Sequence, residues 1–401
     1  MTRRIGILTY FETDNPGTFL QAYAMLTSLR RRFPGDRVEL IDCRQRRSRF
    51  RPHRRDLWPP NLIEHVRRRL IYNRCRRQHF DVSPRGIVTF DYDEAAAFLA
   101  DQGYDLIVVG SDTVFQMRPF CAQTGRPPIY WLPPDLTCLK VACAASGNML
   151  TGDSVDEPIR QQMAASIQAF DVVGVRDDLT LQLMEALGLG GDRRLVMVPD
   201  PTFTLDLDPA PAAAVAKCLG LDQKRPVLGV SLPTKPLTDA LVAHFRAKGF
   251  QAVSFGAKKH GDLSPYALSP FAWAGLYGHF RLTLTDRFHG TVMCLLNATP
   301  VVAVDCSRNR YAPSGLSKTY TLMRQFGMER THHVNLDRVK DAGEVVRLAE
   351  VAMEQFDAAK VRQTVAAMRA RFFAFLDRVA GLLDERNPPS PGTGASAAAG
   401  R

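Results

Sequence analysis

Short runs that are apolar at nearly every position alternate along the chain with longer stretches that are apolar on one face only. Runs at 5–10, 38–43, 105–110, 139–144, 172–175 and 195–198 read as strands buried on both sides, because a strand covered by helices has no polar face to show. Between them, 19–33, 93–101, 157–170 and 178–187 carry apolar residues at helical spacing. In the first of these the stripe is Leu20, Tyr23, Ala24, Leu26 and Leu29. Residues 206–224 open on proline, aspartate and alanine and read as a linker. A second unit follows, with strands at 227–231, 251–255, 281–285 and 300–304 and helices starting at Pro236, Pro270, Phe288 and Gly315. From 337 to 386 the pattern is helical almost throughout. Residues 387–401, without periodicity and rich in Pro, Gly, Ser and Ala, are expected to be disordered.

Strand then helix, repeated, predicts parallel sheets joined by helical crossovers. The expected architecture is α/β: two Rossmann-like parallel-sheet domains, 1–205 and 225–336, with a cleft between them and C-terminal helices at 337–386. Ligands of such sheets settle at the carboxyl ends of the strands. Chemistry therefore belongs in the turns at 15–18, 110–113, 145–148, 176–178 and 286–290.

Composition narrows the class. With 401 residues, 45% of them apolar and 23% charged, the chain reads as a soluble protein of more than one domain. No apolar run approaches a membrane span and the N-terminus leads directly into a strand, so a cytoplasmic protein is expected. The eight cysteines form no Cys-x-x-Cys pair and no zinc-like spacing; they read as reduced core residues, and no metal is expected. The net charge of +11 is local: segment 44–79 holds thirteen arginines, no lysine, and the two acids Asp56 and Glu64, a surplus equal to the whole excess. Phe50, Trp58 and Tyr72 are interleaved, and Leu62, Ile63, Val66 and Leu70 make a helical stripe. From Arg44 to Arg77 the segment suits an anionic membrane face or a lipid-linked substrate, which would leave the protein peripheral at the inner face of a membrane. A solvated excursion without a partner is the second reading. Nucleic acid ranks third and is not expected, because no recognition motif accompanies the charge.

The most informative turn reads Asp286-Arg287-Phe288-His289-Gly290-Thr291, where a strand ends and a helix begins. Free N–H groups at a helix start attract anions. Arg287 adds a planar fork for carboxylate or phosphate, and His289 a group that moves protons near neutral pH. Alternatively His289 packs at a helix start and Arg287 pairs with a carboxylate. Arg176, at the end of another strand, is a candidate second cation, and Lys318 a third; each also reads as an ordinary surface charge. In the first turn Asn15 and Gly17, followed by Gln21, offer donors and a close backbone approach. Ser111 and Asp112 are delivered by the strand at 105–110, where Asp112 could hold a sugar hydroxyl or simply cap the next helix.

Taken together these pieces resemble the polysaccharide pyruvyl transferase family. The resemblance rests on Asn15-x-Gly17-x-x-Leu20-Gln21-Ala22-Tyr23-Ala24, on Asp105-Leu106-Ile107-Val108-Val109-Gly110-Ser111-Asp112, on Val175-Arg176-Asp177, on Val198-Pro199-Asp200-Pro201-Thr202 and on Thr285-Asp286-Arg287-Phe288-His289-Gly290. These occur in the family's order over residues 5 to 330. Pro16, where many members carry an aromatic, and Thr113-Val114-Phe115 after Asp112 depart from the pattern. The resemblance implies a fold similar to the two-domain GT-B type. It also implies transfer of the enolpyruvyl group of phosphoenolpyruvate onto two hydroxyls of a glycan or lipid-linked sugar, with a pyruvate ketal formed and phosphate released. Phosphoenolpyruvate is then the donor substrate, no cofactor is implied, and the product is a cell-surface glycan such as an exopolysaccharide. His289 is implied as catalytic, Arg287 as a donor ligand and Arg176 as another donor-binding arginine; from the residues themselves, Phe288, Gly290 and Lys318 are further candidates beside the donor. Asn15, Gly17, Gln21, Ser111 and Asp112 would face the acceptor. A nucleotide-sugar glycosyltransferase on the same scaffold is the rival enzyme, and a basic nucleic-acid-binding protein the non-enzymatic one.

Overall fold

The computed structural model describes residues 2–44, 59–117, 121, 124–222, 224–255, 261–306 and 317–387. Strands β1 (Arg4–Leu8), β2 (Arg37–Arg44), β3 (Val82–Val88), β4 (Leu106–Val109), β5 (Leu139–Ala145), β6 (Val172–Val175) and β7 (Leu195–Met197) form a parallel sheet in the order β3-β2-β1-β4-β5-β6-β7. A second parallel sheet runs β12-β11-β10-β8-β9, from β8 (Val227–Ser231), β9 (Gln251–Ser254), β10 (Leu282–Thr285), β11 (Val301–Asp305) and β12 (His333–Asn335). Successive residues of the central strands feed opposite interiors. Ile5, Ile7, Leu106 and Val108 enter one apolar cluster, while Leu8, Ile107 and Val109 enter another, which is why no polar face shows in their sequence.

Helix α1 (Pro16–Arg32) begins at a built stop: Asn15 Oδ1 accepts the N–H groups of Gly17 (2.9 Å) and Thr18 (3.3 Å), and Pro16 holds the first helical position. Helix α2 (Pro59–His79) is the described half of the arginine-rich segment. Phe50 and Trp58 lie outside the described residues, as do Gly315 and the tail beyond Asn387.

The linker reading of 206–224 does not hold. Ala210–Cys218 is a helix whose Ala212 and Ala216 are buried, with Ala212 packed close to Gly275 of the helix Pro270–Leu276. Proline and alanine there begin a helix rather than loosen the chain. Two strands carry no clear sequence signal. β3 is an edge strand with Pro84 and Gly86 and a register shift against β2 between Leu40 and Asp42, and β12 is three residues long, paired with β11.

The two units share one apolar interior, since Ile5, Leu20, Val172, Tyr277, Val292 and Val301 belong to a single cluster. The helical stretch at the C-terminal end divides between them. Val345, Ala349 and Ala352 of the helix Ala342–Glu354 pack with Val302 and Val304 of the second sheet. Phe372, Phe375, Leu376 and Val379 of the helix Ala358–Arg386 return to the first, where Asp377 pairs with Arg32 at 2.6 Å.

His332 lies at this junction, 2% exposed, its Nε2 donating to the Ala352 carbonyl at 3.1 Å and its Nδ1 2.8 Å from Thr331 Oγ1. Burial pulls its pKa from the ordinary 6.5 down to about 4. Between those values the unfolded chain binds a proton that the folded one does not. Stability present above pH 6.5 is therefore lost as pH falls toward 4, by on the order of 3 kcal/mol. His332→Gln is expected to flatten the fall of Tm with acid over this window. A slope identical to that of the unsubstituted protein would show that His332 does not carry it.

Candidate active site

Each sheet reverses its strand order once, between β1 and β4 in the first and between β8 and β10 in the second. A parallel sheet opens a crevice at such a point. The turns leaving these four strands meet in a cavity of about 740 Å³ between the units, lined among others by Asn15, Gly17, Asp112, Ser231, Arg287 and His289.

Gly17 and His289 approach each other closely across it. A β-carbon at Gly17 would lie 2.3 Å from His289 Nδ1, so α1 can press its first turn against the imidazole only because that residue has no side chain. On the other side of the ring, Nε2 is buried without a hydrogen-bond partner, 3.8 Å from Asp200 Oδ2. Burial lowers the pKa of His289; Asp200 and Asp112 pull it up, Arg176 and Lys318 push it down, and the net is a shift below the ordinary value. The ring is therefore neutral near pH 7.

Arg176 is buried beneath it. Its Nη1 donates to Asp200 Oδ2 at 2.6 Å and to Gln21 Oε1 at 3.4 Å, its Nη2 stands 3.9 Å from Asp112 Oδ1, and its guanidinium lies 4.8 Å from the centre of the Phe288 ring. Asp200 caps the turn Pro201–Thr204 by accepting Thr202 N (3.0 Å) and Thr202 Oγ1 (2.5 Å). Burial raises the pKa of Asp200, but Arg176 and His289 outweigh it and hold the carboxyl below its ordinary range. Asp112 behaves alike, with burial opposed by Arg176, His289 and Lys318 and a net lowering. It accepts Thr18 Oγ1 at 3.1 Å and Thr113 N at 2.7 Å, with its backbone at φ 78°. Lys318 opens the helix Lys318–Gln325, its Nζ 5.9 Å from the Phe288 ring. Two carboxylates, two cations and a neutral imidazole thus interlock in one cavity wall.

Arg287 stands apart from this network at the cavity rim, 64% exposed, its Nε 3.1 Å from Asp286 Oδ1. Phe288, His289 and Gly290 form the first turn of the helix Phe288–Leu296 in the cavity wall, where N–H groups have no intrahelical acceptor. Two expected cleft residues lie behind the lining instead. Ser111 is 1% exposed and does not line the cavity, and Gln21 accepts from buried Arg176; α1 turns its side chain inward one helical turn beyond Gly17. Asn15 borders the cavity, with its side-chain oxygen committed to capping α1.

The arginine-rich segment reaches the site as well. From α2, Arg68 donates through Nε and Nη2 to the Asp14 carbonyl (3.0 and 2.6 Å) and through Nη1 to the Tyr266 carbonyl (2.7 Å). His65 Nδ1 is 2.9 Å from the Tyr266 hydroxyl, and Arg69 and Arg76 pair with Asp14 Oδ1 at 3.1 and 3.0 Å. Helix α2 therefore clamps the first turn of one unit to the other. Nothing in the sequence of segment 44–79 singles out Arg68 among its thirteen arginines. Asp200 did carry a signal, an Asp-Pro pair directly after a strand.

Residues 15–308 match the family model described as polysaccharide pyruvyl transferase. The chain belongs to this family. Its description is of a transferase of pyruvyl groups acting on polysaccharide, and the matched span contains the turns that leave β4, β8 and β10, Asn15 at the end of the turn after β1, and every residue of the network except Lys318. No curated protein sequence matches the chain. Among solved structures, UDP-N-acetylglucosamine 2-epimerase from Rickettsia bellii is similar at 11% identity and TM-score 0.55, covering 97% of this chain and 99% of that one. The corresponding epimerase from Methanocaldococcus jannaschii gives 9% and 0.53, over 95% and 100%. Sucrose-phosphate synthase from Thermosynechococcus elongatus gives 11% and 0.50, over 96% and 99%. At such identities the likeness is one of fold, two parallel sheets with flanking helices in the GT-B manner.

Proposed function

We propose that the chain transfers the enolpyruvyl group of phosphoenolpyruvate onto two hydroxyls of a glycan or lipid-linked sugar. The observation that carries this reading is the unpartnered Nε2 of a neutral His289 beside Arg176 and Lys318, with Arg287 at the mouth of the same cavity. A donor bearing a carboxylate and a phosphate needs cationic anchors held apart, and these three cations with the helix start at Phe288 supply them.

The reaction balances as two proton movements. One hydroxyl proton ends on the methylene carbon of the donor, which leaves the central carbon electron-poor, and the oxygen that lost it bonds to that carbon. The second hydroxyl then forms the other C–O bond, the bond to phosphate breaks, and its proton leaves with the phosphate. His289 moves the first proton. The donor's negative charge offsets Arg176 and Lys318, the cations that depress the ring, so imidazole gains proton affinity when the donor is bound.

Two measurements test the reading. Mass analysis of candidate glycans incubated with phosphoenolpyruvate should show the ketal, and thermal stabilisation by phosphoenolpyruvate but not by nucleotide sugars separates it from glycosyl transfer; the reverse pattern would favour the glycosyltransferase. Arg287→Ala should raise KM for the donor by on the order of tenfold, with kcat changed less, because a charged contact at an exposed rim is worth less than a buried one. An unchanged KM would place the donor elsewhere.

A further inference from the structure

Helix α2 has a second face that the cleft does not use. Tyr72, His65 and Arg68 turn inward, whereas Ile63, Val66 and Leu70, spaced three and four residues apart on the opposite side, are 52%, 45% and 60% exposed. With 3.6 residues per turn, Arg67, Arg74 and Arg77 fall on that same face, and all three are exposed. Glu64 is the one acid in the helix sequence, and it pairs with Arg67 at 2.9 Å. Arg67 and Leu70 also border a shallow hollow with Ala267 of the second unit, so the surface continues past the helix. Directly before it, residues 44–58 add seven arginines against one acid.

Single exposed apolar side chains need no explanation; an ordered stripe of them set among arginines does. Such a face fits a partner that is anionic at its surface and apolar just beneath, which is the headgroup boundary of an anionic bilayer. A second copy of the chain would bring like charge against like charge, and nucleic acid would leave the stripe in water.

We infer that α2 lays its Ile63–Val66–Leu70 face on an anionic lipid surface. Because Arg68 and His65 of the same helix line the cavity, docking holds the mouth of the cleft beside the membrane. That the acceptor is then a sugar carried on lipid phosphate rests on the function proposed above; the docking itself does not.

The test is co-sedimentation of the full chain with vesicles of phosphatidylcholine, with and without phosphatidylglycerol. Binding is expected only with the anionic lipid, weakening with salt. It should fall by about tenfold or more in the triple variant Ile63→Ser, Val66→Ser, Leu70→Ser, and likewise in Arg74→Glu, Arg77→Glu, each with Tm unchanged. Absence of binding by the unsubstituted chain would overturn the inference. So would equal binding by both variants, or self-association in sedimentation velocity that the serine variant abolishes. Since no donor or acceptor is present, the result is independent of whether pyruvyl transfer occurs.

Discussion

His289→Ala is expected to lower turnover by about 10²- to 10⁴-fold while leaving phosphoenolpyruvate affinity within a few-fold of the unsubstituted protein. The ring lines the cavity with its Nε2 buried and unpartnered, and the proposed anchors for the donor are other residues, Arg176, Arg287 and Lys318. A second readout separates proton transfer from mere packing. In the free protein the imidazole is held neutral, by burial first and by Arg176 and Lys318, against the pull of Asp200 and Asp112. A bound donor sets negative charge against those cations, so binding at neutral pH should take up a proton. Calorimetric titration in buffers of differing ionisation enthalpy measures that uptake, and it should vanish in His289→Ala. Normal phosphate release by the variant, or unchanged proton uptake, would remove His289 from the reaction.

Arg176→Ala should cost both stability and function. Its Nη1 is 2.6 Å from Asp200 Oδ2, both side chains are buried, and Asp112 and His289 share the same pocket of charge. Removing the cation strands a carboxylate without its counter-charge, a loss of about 3–5 kcal/mol for a buried pair. It should appear as a lower urea midpoint with an unchanged m-value. Two further variants locate the cause. Arg176→Met combined with Asp200→Asn should regain much of the stability, because no unpaired charge remains, yet recover no activity. Arg176→Lys should retain the charge but lose the planar contact with Phe288 and Asp200 together, and donor affinity with it. If Arg176→Ala unfolds at the same midpoint as the unsubstituted protein, the ion pair is not what holds this wall of the cleft.

The two-sheet fold and the turns that matter could be read in advance because each is written locally. A strand buried on both faces leaves a run such as Leu106-Ile107-Val108-Val109, and a helix entering from a strand leaves Asn15-Pro16-Gly17 or Arg287-Phe288-His289. Those signals depend on neighbours in the chain, so one sequence carries them. β3 and β12 escaped because an edge strand with Pro84 and Gly86, and a three-residue strand, have almost no periodicity to detect. The stretch at 206–224 misled because Pro and Ala favour both a loop and a helix start, and burial of Ala212 and Ala216 chose between them.

What the residue order settles unaided, then, is which turns end strands, that one of them pairs a guanidinium with an imidazole, and that all of the excess charge lies in one segment. It is silent on which cation would be buried: Arg176 sits under the imidazole at 2% side-chain exposure and Arg287 at the rim at 64%, a division made by the packing of two units around Asp200. Nor does it show that Gly17 lies against His289, or that Arg68 joins Asp14, 54 residues before it, to Tyr266, 198 residues after it. Such contacts arise between segments that are strangers in sequence. Their energies depend on distance and burial, which exist only once both sheets have closed on each other.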